Sequence, residues 1–450
     1  MLFSLSLPPK KGSIIQVFQK IISFVSKLVL LLAGLCIFAW AVWQANEGNG
    51  KLGFLEKPLA TFATFPSLAM EVTKEIEKPE RLLNYDPNFP NINTLDYDVY
   101  ALNAAFETSE WKIRLANLRT DSVLLEWHLG EENYNNTGRV FSHAEPRSPI
   151  LLSDRSIVIH NDESWNLFRL DEQSNILWHN TDHQYHHGIN LDHEGNIWAC
   201  TSNEVQMLKN KMIYRDNSIT KIDVGTGDVL FHKSISEIFI ENDMPYVLHG
   251  QANEVSRKGF DPLHLNEIEP VLNDGTHWKK GDLFISLRDR SMIFLYRPST
   301  NEILKVIQGP FYNQHDIDVL SDSTVSLFNN NVTSLGKLDH PGERTRSDDH
   351  LLPNTTLNLN AQVLIYNFNN QTFTAVFPEK FIENNVYTAT QGLHHFMANG
   401  DLFVESQEEG KIYLFNEGET SIKRYYNDPI NNHIEHTHWI RIYEELDFIN

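Results

Sequence analysis

The chain has 450 residues, and its 59 acidic side chains outnumber 37 basic ones, so the formal net charge is −22. Nucleic-acid binding depends on clustered Lys and Arg, and this balance argues against it. Only two cysteines occur, and Cys36 lies in an apolar segment. Cys200 is then left without an intrachain partner, which excludes a disulfide framework.

The N-terminus carries the only long apolar segment of the sequence. Residues 1–20 are basic and contain no acid, and we interpret them as a cytoplasmic segment. Residues 21–45 approach the roughly 20 apolar residues needed to cross a bilayer, which predicts a transmembrane anchor. Lysines before this segment and Glu47 after it predict an extracytoplasmic body, most simply in a bacterial periplasm.

Two alternatives to this location stay open. Ala39-Trp40-Ala41 is an acceptable cleavage motif, so the segment can also be a signal peptide. The long basic region before it favours the uncleaved anchor. Four Asn-X-Ser/Thr sequons, at Asn135, Asn331, Asn354 and Asn370, leave a eukaryotic lumenal protein open.

Residues 46–100 are rich in Gly, Pro and charged residues and contain no clear repeat unit, which predicts a stalk. The folded domain is expected at 101–450. Within it, alternating apolar residues interrupted by Gly, Asn, Asp or Ser form a strand–turn–strand pattern that is typical of β-hairpins. The pattern occurs in six copies, which begin at Trp111, Leu167, Thr220, Ile293, Leu364 and Ile412.

Recurrence at intervals of a few tens of residues predicts an array of small sheets. The six copies therefore predict an all-β, six-bladed β-propeller that is preceded by the N-terminal transmembrane helix and the stalk. We expect the last strand, around residues 439–443, to pair with an early blade. Such closure would remove the exposed sheet edges that an open array leaves.

A second pattern alternates with the first, and three of its copies begin with a histidine: His187, His264 and His315. The innermost strand of every blade lines the central channel, so residues at one phase of the repeat converge on one axis. Each histidine taken singly can be a residue that only bonds the backbone at a blade junction. Their common phase favours a functional site.

Two further polar residues belong to the same region. Arg288 follows the strand after His264, and a guanidinium offers a fork of donors that suits a tetrahedral oxyanion. Strand alternation would place Asn266 on the same face as His264, and Arg288 opposite Asp289. This set predicts an oxyanion site rather than a hydrolytic carboxylate pair. We interpret the three asparagines at 329–331, which follow the His315 strand, as turn residues.

The sequence predicts no cofactor and no metal site. The close pair His436 and His438 lies far along the chain from the other histidines, and no HExxH motif occurs. A simple interpretation places several histidines in loops or on the surface: His186, His193, His350, His433, His436 and His438.

Three ordered segments, Pro262–Ile268, Phe284–Arg288 and Gln314–Asp316, resemble the arylsulfotransferases. Members of that family are six-bladed propeller enzymes that transfer sulfate between phenols without a nucleotide donor. The resemblance covers roughly residues 145–450. The chain departs from the family at Asp289, where a histidine is usual, and it lacks the small disulfide and the Ig-like N-terminal domain of the best-known members.

The resemblance implies transfer of a sulfuryl group from an aryl sulfate to a phenolic acceptor, with His315 as the transiently sulfated nucleophile. It implies His264 as general acid and base, and Arg288 as a catalytic anion-binding residue. Asn266 and His187 would bind substrate oxygens. The partners would then be small aryl sulfates, phenols and the membrane.

The main alternative is a catalytically inactive, membrane-anchored propeller that binds a glycan, an anion or a protein partner through its channel. A pyrroloquinoline-quinone dehydrogenase has a similar propeller pattern and is a more distant alternative. No recognisable quinone or calcium site in the sequence supports it.

Overall fold

The computed structural model describes residues 11–46, 82–107, 110–129, 145–203, 206–207, 213–249, 261–331 and 360–446. The chain divides into two compact units, residues 1–80 and 81–450. In the first unit, helix α1 spans Lys11–Asn46. Its segment Ile22–Val42 is long and apolar enough to cross a membrane, and none of that segment is buried. By length and composition it fits either a membrane anchor or a signal sequence.

The second unit is a six-bladed β-propeller, as the repeats predict. Strands β1 (Leu82–Asn84) and β2 (Ile92–Asn93) come first. Blade 1 begins with β3 (Tyr100–Glu107), β4 (Glu110–Asn117) and β5 (Ser122–Leu129). Blade 2 contains β6 (Pro146–Leu151), β7 (Ile157–Asn161), β8 (Leu167–Leu170) and β9 (Ile176–Asn180).

Blade 3 contains β10 (Gln184–Leu191) and β11 (Ile197–Ser202), a small hairpin of β12 (Gln206–Met207) and β13 (Ile213–Tyr214), then β14 (Asn217–Ile222) and β15 (Val229–Ser234). Helices α2 (Ile235–Glu241) and α3 (Tyr246–His249) follow. Blade 4 contains β16 (Leu265–Pro270), β17 (Leu283–Leu287), β18 (Met292–Arg297) and β19 (Glu302–Ile307).

Blade 5 contains β20 (His315–Val319), β21 (Thr324–Asn329), β22 (Gln362–Asn367) and β23 (Thr372–Val376), followed by helix α4 (Pro378–Glu383). Blade 6 contains β24 (Leu393–Phe396), β25 (Leu402–Ser406), β26 (Lys411–Phe415) and β27 (Thr420–Tyr425). The described chain ends with β28 (His433–Glu435) and β29 (Arg441–Tyr443).

Residue alternation explains why these strands form and how the blades stack. In β4 the side chains of Trp111, Ile113 and Leu115 are buried, whereas the residues between them are partly exposed. Strands β11 and β17 are buried at every residue, because both faces of an inner strand pack on neighbouring blades. Six clusters of buried apolar side chains result, one between each pair of adjacent blades in the described residues.

The two ends of the second unit close the ring. Strand β29 pairs with β3 and becomes the innermost strand of blade 1, which confirms the predicted closure. Strand β2 adds a fifth strand to the outside of blade 6 by pairing with β27, and β1 pairs with β28. Within residues 82–100, which the sequence assigned to the stalk, residues 82–84, 92–93 and Tyr100 therefore pair with strands of the second unit. The rest of the predicted stalk, residues 47–81, lies outside the described residues.

The side chain of Arg441 connects the closing strand to two other blades. It donates to the carbonyl of Pro149 at 3.0 Å and to Ser148 Oγ at 3.2 Å in blade 2. In blade 3 it donates to the carbonyl of Ile189 at 2.7 Å and to Asn190 Oδ1 at 3.1 Å. One guanidinium thus fixes blade 1 against blades 2 and 3 at the inner strands.

Replacing Arg441 by Met should lower the free energy of unfolding by roughly 2–4 kcal/mol, because several buried acceptors lose a charged donor. Arg119→Met is the matched control, since Arg119 pairs with Asp98 on the surface and its side chain is 39% exposed. We expect the control to change stability by less than about 1 kcal/mol. Urea unfolding of the full-length protein measures both, and equal losses would contradict this account of ring closure.

Candidate active site at the channel

All six innermost strands carry a residue with left-handed backbone in or just before their first half. These residues are Ser148 (φ 50°), His187 (58°), His264 (52°), Asp316 (49°), Gly392 (109°) and Trp439 (70°). Strands β6, β10, β16 and β20 also have a register shift at this point. Such bulges turn side chains out of simple alternation, and for residues other than glycine they cost free energy. These six residues lie at one end of the channel, which we call the rim. Their recurrence in every innermost strand makes the rim the candidate functional site.

The three predicted histidines come together at this rim from blades 3, 4 and 5. His264 Nε2 lies 3.2 Å from His187 Nε2. The ring of His187 stacks towards that of His315, with 6.4 Å between centroids. Trp439, from the closing segment, lies edge-on to both, with its ring centroid 5.9 Å from His187 and 6.3 Å from His315. The repeat phase of the sequence therefore identified three neighbours, and Trp439 adds an aromatic wall that sequence reasoning missed.

His315 is held in one orientation and one tautomer. Its Nδ1 lies 2.7 Å from Asn330 Oδ1 and 3.0 Å from the carbonyl oxygen of Asn313. Because both partners are acceptors, the proton belongs on Nδ1, and the lone pair is on Nε2. The backbone N–H of Gln391 donates to Nε2 at 3.2 Å. Burial, and next the positive charge of Arg288, hold the pKa of His315 well below its usual value. The imidazole is therefore neutral near pH 7.

Asn330 is a site residue that the sequence interpretation missed. Its Nδ2 donates to the carbonyl of Thr388 at 2.9 Å and to that of Gln391, so its Oδ1 is the atom that faces His315. The turn interpretation suits its neighbours, since Asn331 N donates to Asn329 Oδ1 at 2.9 Å. The register of the β20–β21 hairpin could have identified Asn330. It pairs His315 with Phe328, and Phe328 lies two residues before Asn330 in the chain.

His264 belongs to a chain of polar groups that extends away from His315. Its Nδ1 lies 3.4 Å from Asp261 Oδ2, and its backbone N–H donates to Asp261 Oδ1 at 3.0 Å. Burial acts to raise the pKa of Asp261, but the hydrogen bond and charge of His264 outweigh it and lower the pKa. Asp261 is therefore a carboxylate that can hold a proton on the imidazole of His264.

His187 continues this chain in its neutral form. Its Nδ1 lies 2.9 Å from His186 Nδ1. Burial, with the charge of His264 next, holds the pKa of His187 well below its usual value. Burial likewise lowers the pKa of His186 to about 3. His186 lies in β10 and is only 1% exposed, so the prediction of a loop or surface position is wrong for it. His438 lies in a loop, as predicted, but is fully buried. His350 lies outside the described residues.

The structure corrects the placement of Arg288. Strand β17 ends at Leu287, and a 3-10 turn spans Arg288–Arg290, so strand alternation does not apply there. Arg288 and Asp289 therefore do not lie on opposite faces: Arg288 NH1 is 3.4 Å from Asp289 Oδ1, and both side chains are buried. The backbone N–H of Arg288 donates to the carbonyl of His264 at 3.0 Å. The two residues thus share one corner of blade 4.

Asn266 also departs from simple alternation, because the bulge of β16 lies at this residue. Its side chain is fully buried, and its Nδ2 donates to the carbonyl of Gln314 at 2.7 Å. Gln314 is fixed from its other side by Ser286 Oγ, which accepts from Gln314 Nε2 at 2.9 Å. Asn266 consequently positions the residue that precedes His315.

Arg147 is a second arginine at the rim, and the sequence interpretation did not single it out. Its side chain is buried, and NH1 lies 3.1 Å from Asp162 Oδ2. With the Gln391 amide turned so that its oxygen faces the guanidinium, that oxygen accepts from Arg147 NH1 at 2.5 Å. Arg147 lies directly before Ser148, which has left-handed backbone, and His315 lies directly before Asp316, which also has left-handed backbone. The two residues therefore occupy the same phase of the repeat, and this phase was the sequence signal that could have identified Arg147.

A cavity of about 320 Å³ lies inside the channel, lined by residues of all six innermost strands. Four carboxylates face it, those of Glu267, Glu269, Asp316 and Asp318, together with the cationic Arg441. Burial, and next the charge of Asp316, raise the pKa of Glu267 to about 8. The three clustered histidines are not among the lining residues. The rim, which carries Arg147 and Arg288, is the better anion site, because the cavity offers an anion acidic side chains beside the single cation Arg441.

Comparison with known proteins shows the family of this chain. The sequence model of a family described as arylsulfotransferase (ASST) matches residues 148–427, which is more than half of the chain. The chain therefore belongs to the arylsulfotransferase family, and an arylsulfotransferase-type function is supported in general. No curated protein matched the sequence.

Solved structures with a similar fold have low sequence identity. One is a protein of unknown function from Bacteroides caccae, at 12% identity, covering 77% of this chain and 99% of that chain, with a TM-score of 0.46. Hydrazine synthase from Kuenenia stuttgartiensis matches at 11% identity, 74% and 78% coverage, and a TM-score of 0.40. A catalytically inactive virginiamycin B lyase from Staphylococcus aureus with quinupristin matches at 12% identity, 77% and 90% coverage, and a TM-score of 0.37. At these TM-scores the matches carry no argument about function.

The raised pKa of Glu267 predicts a specific dependence of stability on pH. Between about 4.5 and about 8 the folded state holds a proton on Glu267 that the unfolded state has lost. The contribution of Glu267 to the free energy of unfolding therefore falls as pH rises through that window, by up to about 1.4 kcal/mol per pH unit. Glu267→Gln should flatten the dependence and stabilise the protein at pH 8 relative to wild type.

Urea unfolding of the full-length protein at pH 5.5, 7 and 8.5 (chosen to sample the window) measures this slope. Glu417→Gln is the control, since Glu417 is exposed on a turn of blade 6 and should leave the slope unchanged. A Glu267→Gln protein with the wild-type slope would show that Glu267 does not hold a proton in this range.

Proposed function

We propose that this protein transfers a sulfuryl group from an aryl sulfate to a phenolic acceptor through a covalent sulfo-histidine at His315. The observation that carries the proposal is the state of this residue. A hydrogen bond from Nδ1 to Asn330 leaves the lone pair on Nε2, and burial keeps the imidazole neutral. A neutral, desolvated and oriented imidazole is a nucleophile that needs no separate base.

In the first half-reaction, the Gln391 N–H releases Nε2 of His315. Nε2 then attacks sulfur, the N–S bond forms and the bond from sulfur to the aryl oxygen breaks. The electron pair of that bond leaves with the phenolate. The ring becomes positively charged as the N–S bond forms, and the acceptor Oδ1 of Asn330, 2.7 Å from Nδ1, stabilises this charge. Such in-line transfer draws most of its rate from positioning and charge stabilisation.

The phenolate needs a proton, because phenols titrate near pH ~10. His264 is the proposed general acid. Asp261 Oδ2 lies 3.4 Å from its Nδ1, and its Nε2, 3.2 Å from His187 Nε2, is the atom that would donate the proton. Its side chain is 21% exposed, so an incoming substrate can approach it. In the second half-reaction His264 takes the acceptor's proton, the acceptor oxygen attacks sulfur, and the N–S bond breaks to restore neutral His315.

The sulfate oxygens need cationic donors, and two arginines are placed for this. The charge of Arg288 already acts on His315, since it contributes to the lowered pKa. Arg147 approaches from blade 2 beside Gln391, whose backbone N–H reaches His315 Nε2. His187 is proposed as a further oxygen ligand. Asn266 was expected to bind substrate as well, but its bond to the Gln314 carbonyl favours a positioning role.

The direct test compares wild-type protein with His315→Ala, full-length and in detergent, using a chromogenic aryl sulfate with and without phenol. Wild type should release the chromophore faster with phenol and carry one acid-labile sulfate per chain, and His315→Ala should lose both. His193→Ala is the control, since His193 is exposed and lies outside the rim. Wild-type rates in His315→Ala would exclude the mechanism. A wild-type protein inactive on every aryl sulfate tested would favour the non-catalytic propeller.

Asn330→Asp should shift the pH dependence of this activity. A carboxylate next to Nδ1 favours the charged imidazole and raises the pKa of His315, whereas attack needs the neutral ring. The acid limb of the kcat profile should therefore move to higher pH, with a loss of at least about tenfold at pH 6 and recovery at alkaline pH.

The control for this shift is Asn329→Asp, a neighbouring buried asparagine whose Oδ1 accepts from the backbone N–H groups of Tyr312 and Asn331 rather than from His315. Its acid limb should stay at the wild-type position. An Asn330→Asp profile that falls equally at all pH values would indicate a merely structural role for Asn330.

We further propose that α1 remains as an uncleaved anchor and that the propeller lies outside the cytoplasmic membrane. Lysines precede the apolar segment and Glu47 follows it, which favours this orientation. Protease added to intact spheroplasts should digest the propeller, and the mass of the purified protein should include α1. A propeller protected from outside protease would contradict the orientation, and a shortened mass would identify a cleaved signal peptide.

A further inference from the structure

A second cluster of side chains lies beside the rim but takes no part in the proposed chemistry. Glu145 directly precedes β6, whereas His436 and His438 lie between β28 and β29. Glu145 Oε2 is 3.3 Å from His436 Nε2 and 3.5 Å from His438 Nδ1. The two imidazole centroids are 4.8 Å apart. Ring closure brings this carboxylate to histidines that lie 291 or more positions away in the chain.

His436 Nε2 is within hydrogen-bonding distance of Glu145 Oε2, and the spacing of the three groups also suits a shared metal ion. Zinc bonds of about 2.0–2.2 Å in a tetrahedral site place neighbouring ligand atoms roughly 3.3–3.6 Å apart. The two measured separations, 3.3 and 3.5 Å, fall in this range. A charge-assisted hydrogen bond between imidazole and carboxylate would be about 2.7–2.9 Å long.

His438 gives an independent observation. Its side chain is fully buried, yet neither ring nitrogen has a hydrogen-bond partner among the described residues. A buried polar group left in this way costs about 1–3 kcal/mol. Its Nδ1 points to Glu145, and its Nε2 lies 3.5 Å from Glu435 Oε1. A metal on Nδ1 with a carboxylate behind Nε2 is a common arrangement around metal-binding histidines.

The surrounding charges also leave room for a cation. Arg147 NH2 lies 3.4 Å from Glu145 Oε2, but NH1 of the same guanidinium pairs with Asp162 at 3.1 Å. Two carboxylates, those of Glu145 and Asp162, thus share one arginine.

We infer that Glu145, His436 and His438 bind one divalent transition-metal ion of the zinc class, with a fourth position for water. The side chains of His436 and Glu145 are 17% and 19% exposed, so an ion can enter from solvent. The ion would join the ring-closing segment to the start of blade 2. It would also hold Trp439 and Arg147, the chain neighbours of His438 and Glu145, at the rim. This site is additional to the sulfuryl-transfer chemistry and does not depend on it.

The test uses full-length protein in detergent, without a histidine tag and stripped by a chelator, titrated calorimetrically with Zn²⁺ alone. We expect one equivalent per chain in wild type and a rise in Tm on binding. Glu145→Gln and His436→Ala should each weaken binding at least about tenfold. His433→Ala is the matched control, since His433 belongs to the same segment but bonds the carbonyl of Asn431. Its affinity should equal that of wild type.

Co²⁺ in place of Zn²⁺ provides a second readout, because a tetrahedral site gives visible absorption bands that an octahedral aqua ion lacks at that intensity. Wild type that binds no stoichiometric Zn²⁺, or Glu145→Gln that binds it as tightly as wild type, overturns the inference. Glu145→Gln is nearly isosteric and decides the outcome even where His436→Ala does not fold. Aryl sulfate turnover is measured separately, so failure of the metal site and failure of the sulfuryl-transfer mechanism are distinguishable.

Discussion

The pairing of β29 with β3 is the constraint on which the rest of the propeller depends. It completes blade 1 with a strand from the far end of the chain, and Arg441 on that strand bonds backbone of blades 2 and 3. The same segment places Trp439 against His187 and His315. Closure therefore stabilises the ring and also completes the site, so loss of the final strand would remove both.

Charge is divided between two sides of the innermost strands. At the rim, neutral histidines lie beside Arg147 and Arg288, whereas the cavity below carries four carboxylates. Left-handed Asp316 separates the two environments, because it follows His315 directly while its own side chain faces the cavity. A monoanionic aryl sulfate would be attracted to the arginines of the rim. Burial acts in both environments: it keeps the imidazoles of the rim neutral, and it keeps Glu267 in the cavity protonated.

The departure from the family at Asp289 has a local physical meaning. The carboxylate lies 3.4 Å from Arg288 NH1 within one 3-10 turn and is almost fully buried. A histidine there would not neutralise the arginine in the same way. The proposed anion site would therefore use Arg147 as well as Arg288.

Local sequence determined the strands and the phase of the repeat, since hairpin alternation such as that of β4 depends only on neighbouring residues. Because a blade repeats, this phase was enough to predict that His187, His264 and His315 converge. Side-chain direction was not predictable, since bulges at Asn266 and a turn at Arg288 override alternation. The role of Asn330 depends on the carbonyls of Thr388 and Gln391, which lie 58 and 61 positions away. Ring closure brings Glu145 to His436 and His438.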